Sequence, residues 1–290
     1  MRTHSLELTH WQQDRRALIE HRVFWRGWIR LADLMTVMGV SRAQASKDIN
    51  SYINNHPKHI EYNKTTKCYE MGSRFRAHYT SLDASKYLED LLSTSRGLSV
   101  PSANWIVYQP DILATSVPSR RLKAIVVRNI LLACEQKKIV SIEYQSMSSP
   151  NPNERLIAPH AVGYDGFRWH TRAYCFKDHN FKDFVLARIL KSELRERSGI
   201  DFASDKDWHQ TVNLQISPHP DLSDSQKRIV ELDYAMANGV AQIEVRKSLL
   251  YYNLKHLGLD VDPMTRSPQD QQIILKNSDE IYNVLNRKPP

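Results

Sequence analysis

The sequence GFRWHTRAYCF, residues 166–176, decides how the middle of the chain folds. It contains no proline, is rich in aromatic and β-branched residues, and alternates as a half-buried strand does. Because successive strand side chains point to opposite sides, Arg168, His170 and Arg172 are expected on one face. Two guanidiniums and an imidazole side by side are poorly tolerated without an anionic partner. The stretch therefore predicts a strand with one core face and one polar face that attracts anions.

Three further strand patterns surround this stretch. They cover residues 139–147, 155–164 and 184–191, and a predicted helix at residues 119–138 precedes them. Asp165 and Gly166 predict a hairpin turn before the central strand. Consecutive strands at spacings of roughly ten residues are typical of a small, strongly bent antiparallel sheet or barrel.

The front of the chain has the pattern of a helix-turn-helix, LADLMTVMGVSRAQASKDINSYI, residues 31–53. Gly39 supplies the turn, and Ser41 is a good N-cap for the second helix. The residues expected on its buried side are Ala43, Ala45, Ile49 and Ile53. The early positions of that helix carry residue types suited to base edges and phosphates in the major groove. We predict that DNA is contacted by Ser41, Arg42, Gln44, Ser46 and Lys47. An αα-hairpin with a polar exposed face has the same spacing, so this pattern leaves both interpretations open.

Two short strand patterns, residues 59–62 and 68–71, follow the second helix and predict a hairpin. A hairpin in this place is the wing of a winged helix, and Lys64 and Lys67 in its loop are predicted to contact the phosphate backbone. Residues 1–80 hold 13 Lys and Arg against 7 Asp and Glu, whereas the remaining residues hold 27 against 25. This asymmetry favours a polyanion-binding front domain, although a solvated basic surface gives the same count.

The composition describes a globular protein of two or three domains, with 290 residues, 41% hydrophobic and 25% charged. The sequence has no apolar run long enough to cross a membrane and no signal-peptide core, so we expect a cytoplasmic, nucleoid-associated protein without a membrane partner. The 3 cysteines are far apart and odd in number, which predicts free thiols.

Sequence motifs for catalysis or metal binding are missing. The 12 histidines form no His-Glu-x-x-His motif, and neither Cys-x-x-Cys nor Gly-x-Ser-x-Gly occurs. With 9 glycines, the chain also lacks a glycine-rich phosphate-binding loop. We therefore expect no enzyme, no metal ligand and no cofactor.

The other segments predict helices and a small C-terminal module. A helix at residues 82–98 could pack on the winged helix or pair with its copy in a second chain, and an irregular connector at residues 104–117 follows. Beyond residue 200, 10 Lys and Arg face 13 Asp and Glu, so this part is not expected to bind nucleic acid alone. It is expected to cap a neighbouring subunit or the ligand site. Its predicted order is a strand at residues 214–216, a helix capped by Ser223, a strand at residues 241–245 and a helix at residues 247–257.

The predicted order is a helix followed by a small barrel. One of its strands reads Arg-Trp-aromatic, and a later strand reads Phe-x-Leu-x-Arg-Ile. This combination resembles the WYL domain, whose barrel is of the Sm type. The three residues that name the family fall on Trp169, His170 and Thr171, and only Trp169 keeps the family residue. The segments SIEYQSMSSP (residues 141–150) and PHAVGYDGFRWHTRAYC (residues 159–175) resemble the WYL repressors of the CapW and BrxR type, which accompany bacterial anti-phage defence systems. LLYYNLKHLGLD, at residues 249–260, resembles the end of their C-terminal extension.

The resemblance covers the entire chain and implies an α+β multidomain fold. Residues 1–80 would be a winged helix-turn-helix domain and residues 81–118 a helical linker or dimerisation segment. Residues 119–200 would be the WYL domain, a helix plus an Sm-like barrel, and residues 201–290 its α+β C-terminal extension.

The resemblance also implies a ligand site on the WYL domain. Arginines can fork onto phosphates, imidazoles titrate near neutral pH and a tyrosine can stack on a base, which suits a nucleotide or oligonucleotide effector. The alternative is an internal network in which the arginines meet carboxylates such as Glu143 or Asp183. The family's ligand-contacting positions fall on Tyr144, Ser146, His160, His170, Arg172 and Arg188.

Together these features predict a homodimeric transcriptional repressor that binds an inverted repeat in double-stranded operator DNA and is released by an effector. The alternative is an accessory subunit that presents single-stranded nucleic acid to a partner nuclease or helicase. The sequence shows no nuclease-type cluster of carboxylates, which disfavours that alternative. A helix-turn-helix does not disclose the sign of regulation, so activation stays open.

Overall fold

The computed structural model describes residues 10–98, 103–106, 108–115, 118 and 120–285. The chain divides into two compact units, Met1–Ser116 and Val117–Pro290. Val117 and Ser119, which end the predicted connector and begin the predicted fifth helix, lie outside the described residues. No described helix is both long enough and apolar enough to cross a membrane.

The first unit is a winged helix, as the sequence predicts. Its three strands form an antiparallel sheet in the order β1-β3-β2. The three helices before the wing bury one apolar core, which includes Leu34, Ile49 and Tyr52. The elements are α1 (His10–Arg26), β1 (Trp28–Ile29), α2 (Leu31–Met38), α3 (Arg42–Asn55), β2 (Ile60–Asn63), β3 (Cys68–Met71) and α4 (Ala84–Ser95).

The turn between α2 and α3 forms for the local reasons that the sequence gives. Gly39 ends α2 with a φ of 63°, a left-handed conformation that glycine adopts without strain. The Ser41 hydroxyl accepts a 3.2 Å hydrogen bond from the Gln44 backbone N–H and caps α3. The expectation that Ala43 is buried is wrong, because Ala45 and Ile49 define the core face and Ala43 points to solvent.

Helix α4 packs within its own chain. The Tyr87 ring stacks on the Trp25 ring of α1, with centroids 4.0 Å apart and an interplanar angle of 1°. Within the predicted connector, a short 3-10 turn at Ala103–Trp105 places the Trp105 ring 5.5 Å from that of His21. These contacts show that α4 packs on the winged helix, and its pairing with a copy in a second chain stays a prediction.

The second unit begins with a helix and a five-stranded antiparallel sheet. The strand order is β7-β6-β5-β4-β8, and the outer strands β7 and β8 pair with no further strand among the described residues. The sheet and helix share one core, which includes Ile130, Ile142 and Ile157. The elements are α5 (Ala124–Gln136), β4 (Lys138–Tyr144), β5 (Asn153–Tyr164), β6 (Trp169–Cys175), β7 (Asn180–Val185) and β8 (Ile189–Arg197).

Two local predictions in this sheet are wrong. The single strand predicted at residues 184–191 is the end of β7, a 3-10 turn at Leu186–Arg188 and the start of β8. The opening stretch begins with a turn, because the Asp165 N–H donates to the Arg168 carbonyl and β6 starts only at Trp169. A four-residue turn therefore replaces the expected two-residue turn.

The C-terminal part of this unit forms a second, three-stranded sheet in the order β10-β9-β11. The prediction of a capped helix is confirmed: the Ser223 hydroxyl and the Gln226 side chain form a reciprocal capping box. The sequence reasoning missed the last strand and helix, although Ile281 of that helix is fully buried. The elements are α6 (Lys206–His209), β9 (Thr211–Pro218), α7 (Asp224–Asp233), β10 (Ala241–Arg246), α8 (Leu250–His256), β11 (Ile273–Leu275) and α9 (Ser278–Val284).

The cysteines are free, as predicted. Cys68 and Cys175 are buried, and Cys134 is half-buried. Burial raises the pKa of the Cys134 thiol to about 11, so it stays protonated at neutral pH.

Candidate functional site

The exposed side of α3 carries cations without partners. Arg42 and Lys47 are exposed, and in the part of the chain that the structure describes their side chains form no hydrogen bond or ion pair. Ala45 and Ile49 on the opposite side are fully buried, so the orientation of the helix is fixed. This surface can therefore offer both cations to an external anion without first breaking an internal contact.

The polar residues of α3 nearer the core are held in place. The Gln44 amide donates to Asp48 over 2.9 Å, and the Asp48 carboxylate accepts from Arg15 of α1 over 2.6 Å. Ser46 accepts a long hydrogen bond, 3.5 Å, from the Asn50 amide. Ser41 and Gln44 thus serve the helix cap and the α1 contact in this structure, and any base contact by Gln44 would compete with Asp48.

Hydrogen bonds from side chains within the wing hold the conformation of its loop. The Asn63 carbonyl oxygen accepts from the Thr65 and Thr66 backbone N–H groups, and the Asn63 amide donates to Glu70 over 3.0 Å. Hydrogen bonds from Asn63 and then Thr66 lower the pKa of Glu70. Lys64 and Lys67 both remain exposed, without ion pairs among the described residues.

The polar face of β6 is buried and paired. Arg172 is 6% exposed and binds Asp205 with two parallel hydrogen bonds, Nε to Oδ2 at 2.7 Å and Nη2 to Oδ1 at 2.9 Å. Asp183, directly opposite on β7, lies 3.5 Å from Nη1. The internal network offered as the alternative for Arg172 is thus present, with Asp183 as one of its members and Asp205 as the closer one. Glu143 instead pairs with Lys191, 2.8 Å away.

His160 completes this network from β5. Its Nε2 lies 3.0 Å from Asp205 Oδ2, and its ring stacks on Phe202 with centroids 5.2 Å apart. Burial lowers the pKa of His160 although Asp205 opposes the shift. For Asp205, burial alone would raise the pKa, but Arg172 and His160 outweigh it and lower the pKa. The carboxylate is therefore ionised and contacts both Arg172 and His160.

His170 belongs to a second group at the β5–β6 turn. Its Nε2 lies 2.8 Å from Asp165 Oδ2, which also accepts from Arg168 Nε over 2.9 Å. Burial alone would raise the pKa of Asp165, but hydrogen bonds from His170 and the 167–168 segment lower it to about 2. The His170 ring also contacts Tyr252 of α8, with centroids 4.9 Å apart. Burial and then Asp183 raise the pKa of Tyr252 to about 12.

The remaining predicted ligand residues lie near the 3-10 turn. Tyr144 is in the core, its ring edge-on to Phe184, and its hydroxyl accepts from the Val185 N–H over 3.3 Å. Ser146 is half-buried and lies 3.2 Å from the Ser148 hydroxyl. The half-buried Arg188 accepts from the Gln145 N–H with its backbone carbonyl. Within the described residues its guanidinium makes no hydrogen bond or ion pair, so the alternative in which Arg188 meets a carboxylate such as Glu143 or Asp183 does not occur there.

A cavity of about 260 Å³ opens beside the His170 group, and an adjoining one of about 220 Å³ shares Asp165, Tyr252 and His256 with it. The wall of the larger cavity has three permanent cations, one carboxylate and two aromatic rings. It is lined by Arg120, Asp165, Phe167, Arg168, Tyr252, Lys255 and His256.

The structure thus places the six predicted ligand residues in three groups rather than in one pocket. His160 and Arg172 share Asp205, His170 contacts Asp165, and the others surround the 3-10 turn. Sequence reasoning missed Asp205, Asp165 and Tyr252. Only Asp165 had a local signal, since it directly precedes Gly166 at the predicted turn.

Three family models match consecutive parts of the chain. Residues 12–93 match the winged helix-turn-helix domain of the BrxR transcriptional regulator, residues 126–194 match the WYL domain, and residues 211–281 match the C-terminal dimerization domain of the BrxR transcriptional regulator. A winged helix, a WYL domain and a dimerization domain in this order define the class of WYL-domain transcriptional regulators.

Whole-chain relatives specify the family within that class. The chain is 35% identical over 280 residues to the DNA-binding transcriptional repressor CapW of Pseudomonas aeruginosa, which covers 95% of this chain and 92% of that protein. It is 32% identical over 273 residues to CapW of Stenotrophomonas maltophilia, covering 93% and 91%, and 34% identical over 280 residues to CapW of Escherichia coli (strain KTE188), covering 95% and 92%. The chain belongs to the CapW family, and the resemblance that the sequence shows is confirmed.

Proposed function

We propose that this chain is a homodimeric, sequence-specific repressor of a phage-defence operon, and that a nucleotide or nucleic-acid-derived effector on its WYL domain relieves repression. The observation that carries DNA binding is the outer face of α3, at the place of a recognition helix, where Arg42 and Lys47 are exposed and have no partner among the described residues. The relatives named as DNA-binding transcriptional repressors support the same role.

Dimerisation is proposed because one short recognition helix gives limited specific affinity, and two copies read two half-sites. The match to a C-terminal dimerization domain supports this. Helix α7 also exposes Ile229 and Leu232, which are 58% and 80% exposed and would be buried by a second copy.

The test of DNA binding is a selection of bound fragments from random double-stranded DNA by the full-length protein. We expect an inverted repeat whose half-sites are centred about 10 bp, or a multiple of that, apart. An inverted repeat of the same sequence should lie upstream of the operon that encodes the chain. A preference for single strands without any enriched duplex sequence would contradict the proposal and support an accessory subunit.

The effector site is proposed at Tyr144, Ser146, His160, His170, Arg172 and Arg188, extended by the cavity beside His170. Backbone contacts connect part of this set, since Val185 bonds the Tyr144 hydroxyl and pairs with His170 across β6 and β7. The cations of the cavity wall suit phosphate groups, and the ring of Tyr252 suits a base. An Sm-type small barrel stays a proposal for this domain, because the outer strands β7 and β8 pair with no further strand among the described residues.

Arg188 gives the cleanest test of the effector site, because its guanidinium is not tied into an internal ion pair. Arg188→Ala is expected to keep operator binding and thermal stability but to lose release of the operator by the inducing ligand. Arg195→Ala, which removes an exposed arginine from β8 that pairs with Glu193, is the matched control. Normal induction by Arg188→Ala would remove this residue from the site. The readout is operator release in a gel shift with nucleotides and short single strands as probes.

A further inference from the structure

Three imidazoles converge at the base of the wing, outside the surfaces described above. His56 follows the last residue of α3, His59 precedes β2, and His78 lies in the segment that follows β3. One ring nitrogen of each lies within 4.8 Å of those of the other two. The ring of His78 stacks on His56 with centroids 4.7 Å apart and on His59 at 5.4 Å.

One of these ring nitrogens has no hydrogen-bond partner among the described residues, and a nitrogen of a second ring contacts a hydroxyl group. His59 Nδ1 is buried and unpaired among the described residues, an arrangement that costs free energy until a donor or a metal ion meets it. His56 Nε2 lies 3.0 Å from the Tyr79 hydroxyl, which also accepts a 2.7 Å hydrogen bond from Arg16. Such a contact fixes the ring orientation in the way that outer-shell groups do in metal sites.

We propose that His56, His59 and His78 bind one divalent transition-metal ion of the Zn²⁺ type. Zn–N bonds of about 2.0–2.1 Å place tetrahedral ligand nitrogens about 3.3 Å apart, so all three rings would move closer together from their present spacing of up to 4.8 Å. Three imidazole nitrogens and no carboxylate favour Zn²⁺, Ni²⁺ or Cu²⁺ over Mg²⁺ and Ca²⁺. A water molecule would take the fourth position.

The bound ion would connect the end of the recognition helix to the two segments that flank the wing. His56 is the C-cap residue of α3, and His59 and His78 lie before and after the β2–β3 hairpin. A metal ion that binds only the folded arrangement stabilises it by mass action. The site would therefore act as a clamp that fixes the wing relative to α3. This proposal does not depend on the effector site.

The experiment measures binding of ZnSO₄ to the EDTA-treated, full-length protein by competition with a chromophoric chelator, and the visible spectrum after addition of Co²⁺. We expect one saturable Zn²⁺ site per chain, a tetrahedral Co²⁺ spectrum and a higher melting temperature with Zn²⁺. His78→Ala removes a ligand from an exposed position and should lower Zn²⁺ affinity at least about 100-fold, more than the loss of an outer-shell group. Its melting temperature without metal should equal that of the wild type.

His10→Ala is the matched control, because His10 is an exposed histidine of the same unit that pairs with Asp14. It should bind Zn²⁺ like the wild type. Equal Zn²⁺ affinity of His78→Ala and the wild type, or no saturable binding by the wild type, would overturn the proposal. His59→Ala is a second variant that should lose the site in the same way.

Discussion

The two arginine-bearing surfaces of this chain differ in whether their charges are already satisfied. On α3, Arg42 is exposed and unpaired within the described residues, whereas on β6 Arg172 is 6% exposed and held by Asp205 and Asp183. An exposed charge keeps its hydration and can exchange it for a phosphate contact at low cost. A buried guanidinium has lost its hydration and depends on its carboxylates. Arg42 is therefore available to an external anion, whereas Arg172 is held by two internal carboxylates.

The largest expected effect comes from removing the carboxylate at the centre of the β6 network. Asp205→Ala leaves Arg172 buried without its bidentate partner and removes the cap of α6, where Asp205 accepts from the Trp208 N–H. We expect a loss of about 3–5 kcal/mol in the free energy of unfolding of the second unit. Asp207→Ala, at a half-exposed carboxylate 3.8 Å from Arg172, should cost less than about 1 kcal/mol. Urea denaturation of both variants checks the contrast, and equal losses would mean that Asp205 is not the anchor.

The second effect separates the two units by their response to acid. Burial, and then Arg22, lowers the pKa of His21 in the first unit to about 4, below the 6.5 of an unfolded chain. The unfolded state binds the proton first, so stability falls as the pH drops from about 6.5 to 4, by about 2 kcal/mol after discounting for solvent screening. Asp165 in the second unit has a pKa of about 2, so its contribution is lost only as the pH falls below about 4.

Hydrogen exchange at pH 7 and pH 4.5, corrected for intrinsic rates, measures this difference. Peptides from α1 should lose protection at pH 4.5. His21→Gln, which cannot titrate, should make the protection of α1 less dependent on pH. The same dependence of α1 protection on pH in His21→Gln and in the wild type would show that His21 does not set the acid response of the first unit.

A third, smaller effect is confined to DNA binding. Arg42→Ala should cost about 1–3 kcal/mol of operator affinity and relax specificity at one position, without a change in unfolding free energy. Lys86→Ala, which removes an exposed cation from α4, is the control and should keep the affinity of the wild type. Gel shifts with the selected operator and with one-base variants give both quantities. Wild-type affinity for Arg42→Ala would remove the outer face of α3 from recognition.

The same comparison explains how much of the molecule could be predicted from the sequence. The winged helix is encoded by short-range signals, such as the Gly39 turn and the Ser41 cap, and those predictions are confirmed. The anchor of Arg172 lies 33 residues away at Asp205, in a segment with no motif, so no local pattern reveals it. An apolar run such as FVLARILK is equally compatible with one long strand or two short ones, and only the tertiary structure inserts the 3-10 turn.

The candidate ligand residues show the same limit. The family resemblance selected these residues by the type of their side chains. The Arg188 guanidinium has no ion pair among the described residues, whereas Arg172 and His160 both contact Asp205. Whether a charge is available depends on carboxylates brought in by folding, which a single sequence does not display. Exposed charges on a helix such as α3 are easier to predict, because the helical period alone assigns them to the solvent side.

The smallest expected effect concerns two exposed lysines that differ in whether their charge is paired. Lys64 of the wing is exposed and unpaired within the described part of the chain, and Lys191 is exposed but lies 2.8 Å from Glu143. If Lys64 contacts a phosphate, Lys64→Gln should reduce the slope of log affinity against log salt by about 1, with little change in sequence preference. Lys191→Gln should leave the slope unchanged, because its charge is already matched. Operator titrations at several salt concentrations decide this, and equal slopes for wild type and Lys64→Gln would show that an exposed, unpaired charge is not sufficient for DNA contact.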